Sequence, residues 1–220
     1  MFDRNALSLY LVTDRPLALG RDIIDVVLKA VKGGVTLVQL REKDLDTRHF
    51  VELAVRLRES LSGSGVPLII NDRLDVALAA GADGVHLGQT DMPYAYARKI
   101  LGPDKIIGVS IENLLQAEEA NGQDVDYIAV SPVYLTDTKT DTSAALGLEG
   151  VRRISSVSIH PCCGIGCMNR ETAADVIRAG ADGIAVVSAI MSAADPCAAA
   201  TELRTIINDT KNELDRKCME

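Results

Sequence analysis

The sequence lacks long apolar runs and any surplus of positive charge. No stretch reaches the about 18 consecutive apolar residues of a membrane-spanning helix, and residues 1–5 lack the basic and apolar pattern of a signal peptide. Lys and Arg number 23 against 31 Asp and Glu, a formal net charge of -8, so the surface offers no general attraction to nucleic acid or anionic lipid. These absences predict a cytoplasmic protein with no membrane or nucleic-acid partner, in which a few local cations hold any anionic ligand.

Cysteine and histidine motifs are also scarce. The five cysteines are an odd number, which suits a reducing compartment better than a disulfide framework. Cys162, Cys163 and Cys167 lie close in sequence, but adjacent cysteines point to opposite faces of a strand, so we expect buried thiols rather than a metal site. His49 and His160 are expected to be structural. The sequence contains no Ser/His/Asp arrangement, Walker loop or dinucleotide fingerprint.

The sequence does contain short apolar runs that recur roughly every 25 residues and alternate with helix-like segments. Parallel strands are buried on both faces and appear as continuous apolar runs, so the alternation predicts a single (β/α)8 TIM barrel of eight strands and eight helices. The runs are Leu9 to Val12, Leu37 to Leu40, Leu68 to Ile70, Val85 to Leu87, Ile106 to Val109, Tyr127 to Val130 and Ile184 to Val187. Each stops at a small, hydroxyl or charged residue, and these stops predict the rim where such a barrel builds its site.

Two near copies of one segment favour a closed ring over an open sheet. Residues 81–85 read Gly-Ala-Asp-Gly-Val and residues 180–184 read Gly-Ala-Asp-Gly-Ile, each before an apolar run and four βα units apart. A tight turn that needs glycine explains the echo, so it bears on fold rather than on chemistry. No Gly/Ser, Pro or like-charge bias marks a linker, and we therefore treat residues 1–220 as one domain.

Three groups of polar residues lie at the predicted rim. Gln39 and Arg41 share a face after the second strand with Lys43 just beyond, which indicates either a polyanion site or a solvated charged loop. Asp72 and Asp91, with Asn71, follow the third and fourth strands and are suited either to Mg2+ or to capping the next helices.

The third group combines hydroxyls, one cation and glycine. Thr136, Thr138 and Lys139 follow the sixth strand, opposite Gly164-Ile165-Gly166 after the seventh strand and Ser188 after the eighth. This composition is typical either of a phosphate cup or of a surface loop. His86, inside the fourth strand, either points into the barrel mouth or is a core histidine.

Six ordered motifs together resemble the thiamin phosphate synthase family, over about Leu9 to Ile190. They are Leu-Tyr-Leu-Val-Thr-Asp at 9–14, Gly-Val-Thr-Leu-Val-Gln-Leu-Arg-Glu-Lys at 34–43, Ile-Asn-Asp-Arg at 70–73, Gly-Val-His-Leu-Gly-Gln-Thr-Asp at 84–91, Gly-Val-Ser at 108–110 and Thr-Asp-Thr-Lys at 136–139.

The resemblance implies a transferase that joins hydroxymethylpyrimidine diphosphate to a thiazole phosphate, requires Mg2+, and releases pyrophosphate before the thiazole nitrogen attacks. It implies that Asp72 and Asp91 bind Mg2+. It further implies diphosphate contacts from Arg41, Lys43, Asn71, Ser110 and Lys139, pyrimidine contacts from Gln39 and His86, and a thiazole phosphate pocket of Thr136, Thr138, Gly166, Val187 and Ser188. The expected partners are therefore small-molecule substrates, and a homo-oligomer is compatible with the sequence.

The sequence departs from the family pattern in two places. Cys167 occupies the second position of a usual Gly-Gly pair, where we expect it to narrow the phosphate cup, and residues 131–135 replace a Gly-Pro-aromatic-Pro run. Two alternatives remain: a thiazole tautomerase of the same fold, which needs no diphosphate leaving group, and a noncatalytic phosphate-binding barrel. The full set of cations and carboxylates favours the synthase.

Overall fold

Eight parallel strands close into a barrel in chain order, with the last strand paired to the first. The computed structural model describes residues 2–135 and 144–219. The strands are β1 Leu9–Val12, β2 Leu37–Leu40, β3 Leu68–Asn71, β4 Gly84–Leu87, β5 Ile106–Ile111, β6 Tyr127–Val130, β7 Cys162–Ile165 and β8 Gly183–Val186. The predicted (β/α)8 barrel is confirmed.

Helices surround the barrel, and 3-10 turns at Arg4–Leu7 and Pro16–Ala18 flank β1. The helices are α1 Ile23–Lys32, α2 Thr47–Leu61, α3 Leu74–Ala80, α4 Tyr94–Leu101, α5 Leu114–Ala120, α6 Gly147–Val157, α7 Ala173–Arg178, α8 Ser188–Met191 and α9 Pro196–Met219. The predicted count of eight helices is wrong for the described residues, because β8 is followed by the one-turn α8 as well as by α9.

The seventh strand extends further than the sequence pattern indicates. Gly164 and Ile165 were expected after this strand, but both belong to it, since Gly164 pairs with Ile184 and Ile165 pairs with Ala185 in β8. Separately, no helix within residues 2–135 and 144–219, the 24-residue α9 included, has an apolar stretch long enough to cross a bilayer.

Alternate residues of each strand face the barrel interior or the helices. Tyr10, Ile69 and Tyr127 belong to an inner apolar cluster, whereas the remaining core packs between the strands and the helices. Cys162 belongs to the outer core and Cys163 to the inner cluster, which confirms that the two thiols point to opposite faces of β7. Burial raises the pKa of Cys162 to about 12 and that of Cys163 well above its ordinary value, so both behave as apolar side chains.

One hydrogen-bond arrangement recurs at the floor of the barrel, where the strands begin. The side chain before every second strand accepts a hydrogen bond from a backbone N–H near the start of the preceding strand. Asp83 accepts from Leu68 at 2.7 Å, Asp126 from Ile107 at 2.8 Å, Asp182 from Cys162 at 2.8 Å, and Thr36 from Leu9 at 2.9 Å. The repeated Gly-Ala-Asp-Gly segments therefore supply two of these acceptors, a role that the turn interpretation of the echo did not include.

Replacing Asp83 with Ala is expected to lower the free energy of unfolding by about 1 kcal/mol, since the N–H of Leu68 loses its acceptor. Asp83→Asn keeps a side-chain oxygen at this position and is expected to retain most of the stability. Urea denaturation of both variants checks the prediction. Equal losses in the two variants would contradict it, because the loss would then come from the charge rather than from the hydrogen bond.

Candidate active site

A cavity of about 450 Å³ opens at the carboxyl ends of the strands, and we call it the rim cavity. Every predicted site residue within the described chain lines it. These residues are Gln39, Arg41, Lys43, Asn71, Asp72, His86, Asp91, Ser110, Gly166, Val187 and Ser188. Thr136, Thr138 and Lys139 lie outside the described residues. The structure thus brings together residues from six strands, β2 to β5, β7 and β8, and their roles in binding and catalysis stay predictions.

Two carboxylates and one ammonium group form the acidic side of the rim cavity. Lys43 Nζ donates to Asp72 Oδ2 at 2.8 Å, and Asp72 also interacts with Asp91. Burial alone would raise the pKa of Asp72, but hydrogen bonds with Lys43 and Asp91 hold it below its ordinary value. Burial and the adjacent Asp72 carboxyl raise the pKa of Asp91, against a 2.7 Å hydrogen bond from the Gly88 N–H. The two acids are therefore one interacting pair.

The helix-capping interpretation of these two acids is wrong. Helix α3 has Arg73 at its N-cap and α4 has Pro93. In neither helix does the N-cap side chain form a hydrogen bond with the backbone of the first turn. Asp72 instead has a left-handed backbone, with a φ of 61°, and its N–H donates to the His86 carbonyl at 2.9 Å. This conformation, favoured by Asp, Asn and Gly, turns the carboxylate into the cavity.

The donor set at this pair fits Mg2+. Asp72 and Asp91 offer hard carboxylate oxygens close together, and the pKa of Asp91 is raised partly because the two charges repel, which a cation would relieve. Within the described part of the chain, no three His, Cys, Asp or Glu side chains meet as a metal site. Mg2+ commonly keeps water and phosphate oxygens as ligands, so a site with only two protein carboxylates agrees with its chemistry.

Arg41 is held at the rim rather than solvated. Its guanidinium pairs with Asp14 at 3.2 Å and its side chain is only 20% exposed. Its backbone N–H donates to Thr13 Oγ1 at 2.9 Å. The charged-loop interpretation therefore fails for Arg41, which is fixed by the two residues that follow β1, whereas Lys43 is half-exposed and held by Asp72. Asp14, which pairs with Arg41, was not predicted as a site residue.

A chain of polar side chains, most of them buried, crosses the barrel at the bottom of the rim cavity. Tyr10 and Tyr127 hydroxyls lie 2.7 Å apart, and the Tyr127 hydroxyl lies 3.0 Å from His86 Nδ1. His86 Nε2 lies 3.0 Å from Ser110 Oγ, and Gln39 Nε2 donates to the Tyr10 hydroxyl. His86 thus joins the cavity to the core, so both interpretations of its position hold. Tyr10 and Tyr127 were not predicted as site residues. Tyr10 pairs in register with Leu37, which lies two residues before Gln39 and on the same inner face.

The opposite side of the rim cavity is built from backbone at the end of β7. Gly166 has a φ of 108°, and a Cβ there would lie 2.8 Å from the Tyr134 carbonyl oxygen, so the position requires glycine. Cys167 follows with a φ of 50°, and its Sγ donates to the Leu135 carbonyl at 2.8 Å. Cys167 is exposed and lines the cavity, so the expectation of a buried thiol is wrong for this residue, and its thiol hydrogen bond ties it to the segment after β6. Val187 and Ser188 complete this side.

Comparison with known proteins agrees with this geometry. A family model described as thiamine monophosphate synthase matches residues 9–190. A thiamine-phosphate synthase of Albidiferax ferrireducens is 52% identical over 203 residues, which cover 92% of this chain and 93% of that protein. A thiamine-phosphate synthase of Leptospira biflexa is 56% identical over 202 residues, covering 90% and 96%.

A solved structure is also similar to this chain in both fold and sequence. Thiamine phosphate pyrophosphorylase from Pyrococcus furiosus superposes with a TM-score of 0.87 at 40% sequence identity, covering 94% of this chain and 98% of that one. The shared sequence therefore extends over the barrel and the rim cavity together. On the family match over residues 9–190 and on relatives more than half identical over nine-tenths of its length, the chain belongs to the thiamine monophosphate synthase family.

Proposed function

We propose that this protein is a transferase that condenses hydroxymethylpyrimidine diphosphate with hydroxyethylthiazole phosphate to form thiamin phosphate and pyrophosphate. The observation that carries the proposal is the meeting of Arg41, Lys43, Asp72 and Asp91 in one cavity of a chain from this family. Cations beside carboxylates are the arrangement that a diphosphate leaving group requires. The relatives at 52% and 56% identity are named for this activity.

In the proposed reaction the carbon–oxygen bond between the pyrimidine methylene and the diphosphate breaks first, and the electron pair leaves with the diphosphate. Arg41 and Lys43 lie at the rim with their charges held by Asp14 and Asp72, so they stabilise the departing negative charge without reorganising. The lone pair of the thiazole nitrogen then forms the new carbon–nitrogen bond. Because the nucleophile carries no proton at this nitrogen, no side chain has to act as a strong base.

Each remaining predicted residue has a binding or orienting role in this proposal. Gln39 and His86 contact the pyrimidine, while Asn71 and Ser110 contact the diphosphate from the ends of β3 and β5. Gly166, Val187 and Ser188 bind the thiazole phosphate, with Thr136 and Thr138 added by the family resemblance, and Lys139 is assigned to the diphosphate on the same ground. Asp72 and Asp91 would hold Mg2+, which when bound neutralises diphosphate charge.

The two alternatives have less support. A thiazole tautomerase has no diphosphate to release, and a noncatalytic barrel has no use for paired carboxylates facing two cations. An assay of pyrophosphate release separates the three functions. We expect release only when both substrates and Mg2+ are present. Isomerisation of a thiazole carboxylate phosphate without metal would support the tautomerase, and binding of phosphate without turnover would support the noncatalytic barrel.

A further inference from the structure

Five polar side chains form a single hydrogen-bonded series through the inside of the barrel. In order they are Gln39, Tyr10, Tyr127, His86 and Ser110. The two ends of the series line the rim cavity, whereas Tyr127 in the middle is fully buried. Tyr127 is also fixed by two ring contacts. Its ring stacks on His86 with a centroid distance of 5.6 Å and on Phe2 with a centroid distance of 5.4 Å.

With the Gln39 amide donating to Tyr10, the donors and acceptors in this series have one consistent direction. Burial raises the pKa of Tyr10 and Tyr127 well above the ordinary value, so each hydroxyl keeps one proton to donate. The Gln39 Nε2 amide donates to the Tyr10 oxygen, so the Tyr10 proton is directed to the Tyr127 oxygen. The Tyr127 proton then goes to His86 Nδ1, because the Tyr127 oxygen already accepts from Tyr10.

This direction continues to the far end of the series. With Nδ1 accepting, the neutral imidazole carries its proton on Nε2 and donates it to Ser110 Oγ. Ser110 has one hydroxyl proton, which is then directed away from His86. At the other end, Gln39 uses one Nε2 proton on Tyr10, which leaves its Oε1 as an acceptor beside the second Nε2 proton.

We propose that Tyr10 and Tyr127 are positioning residues that set this direction, so that the cavity offers substrate a carbonyl acceptor on Gln39 and a hydroxyl donor on Ser110. The proposal rests on the proposed function, because it assigns the two ends to the pyrimidine diphosphate. A donor from Ser110 matches the acceptor oxygens of a diphosphate. An acceptor on Gln39 selects a pyrimidine with an N–H donor on a substituent, because the ring nitrogens themselves only accept.

The opposite direction would place the protons differently, and the difference can be measured at His86. If the Gln39 amide were reversed, Tyr10 would donate to Gln39, Tyr127 would donate to Tyr10, and His86 would donate from Nδ1. Every member would reverse together, since each hydroxyl has a single proton. The tautomer of His86 therefore reports the direction of the whole series.

The experiment measures the His86 tautomer by 15N NMR of the full chain labelled at histidine, with His86→Gln to assign the signal among three histidines. We expect a proton on Nε2 and none on Nδ1 in the wild type. In Tyr127→Phe the Nδ1 acceptor loses its donor, and we expect a mixture of the two tautomers. A wild-type ring protonated on Nδ1, or a tautomer unchanged in Tyr127→Phe, would overturn the proposal.

Two further variants test positioning against a merely structural role. Tyr10→Phe leaves the Tyr127 hydroxyl free to donate to His86, so the tautomer is expected to persist while Gln39 loses its anchor. We expect KM for the pyrimidine diphosphate to rise about tenfold in Tyr10→Phe and Tyr127→Phe, with KM for the thiazole phosphate unchanged. Equal changes in both KM values would overturn the positioning role.

Tyr96→Phe is the matched control, because Tyr96 is 64% exposed on α4 and does not line the rim cavity. Neither the tautomer nor either KM is expected to change in it. Since the NMR measurement needs no turnover, it also separates the two proposals. A wild type with the expected tautomer but no synthase activity would remove the proposed function and the assignment of substrate, and would leave the direction of the series established.

Discussion

Replacing Asp72 with Asn is expected to lower turnover by about 100-fold, or about 2.7 kcal/mol of barrier, while leaving the barrel folded. Asn tolerates the left-handed backbone at this position, where φ is 61°, and it keeps nearly the same shape. It removes the charge that fixes Lys43 at 2.8 Å and that would hold Mg2+. Asp72→Ala is also expected to lower turnover, with an added backbone cost of about 1 kcal/mol because alanine disfavours this conformation.

The measurement is steady-state pyrophosphate release over a titration of MgCl2, for the wild type and Asp72→Asn. We expect the half-saturating Mg2+ concentration to rise along with the fall in turnover, since one of the two proposed metal ligands is lost. Asp75→Asn is the control. Asp75 lies three residues after Asp72, carries an equal charge and pairs with Arg73, and neither Asp75 nor Arg73 lines the rim cavity. A change of less than tenfold in Asp72→Asn would show that Asp72 lies outside the reaction machinery. An unchanged Mg2+ dependence would assign Asp72 to positioning Lys43.

Several of the rim residues were predictable because one rule locates them. In a parallel barrel the first polar residue after each apolar run lies at the same end, so Arg41, Asn71 and Ser110 could be grouped from sequence although they are far apart in the chain. The structure adds the contacts between them. Lys43 and Asp72 are 29 residues apart, and their ion pair depends on the register of β2 against β3, which composition and periodicity do not determine.

The interior of the barrel was the least predictable part of the candidate site. Tyr10 and Tyr127 each stand in a continuous apolar run, where tyrosine is expected simply as core. Only the closure of the sheet brings β1 and β6 across the barrel from each other, so that the two hydroxyls meet at 2.7 Å. Pairing across a closed barrel depends on strand tilt and stagger, which no local pattern in the sequence encodes.

The end of β7 was predicted wrongly, and the capping interpretation of Asp72 fails, both for local reasons. Two glycines within residues 164–166 suggested that the strand had ended, whereas Gly164 stays in the ladder and only Gly166 leaves it. Asp72 precedes a helix at the spacing of a cap, but its left-handed backbone directs the carboxylate away from α3. In both places the tertiary contacts of the rim override a sound local propensity.

Replacing Gly108 with Ala is expected to lower the free energy of unfolding by about 3 kcal/mol or more, an unusually large loss for one added methyl group. An added Cβ would lie 2.0 Å from Tyr127 Cζ and 2.3 Å from its hydroxyl oxygen. The ring has nowhere to move, because it is fully buried and stacked between Phe2 and His86. Relief therefore requires a shift of β5 or β6, which are adjacent strands of the closed barrel.

Urea denaturation of Gly108→Ala checks this prediction, with Gly122→Ala as the control. A Cβ at Gly122 would have no contact closer than 3.6 Å, to the Glu119 carbonyl oxygen, so we expect a change within about 0.5 kcal/mol there. The cause is isolated by a double-mutant cycle with Tyr127→Leu, which shortens the side chain facing Gly108. In that background Gly108→Ala should cost less than about 1 kcal/mol. The same large cost in both backgrounds would place the loss in the β5 backbone and not in the Tyr127 ring.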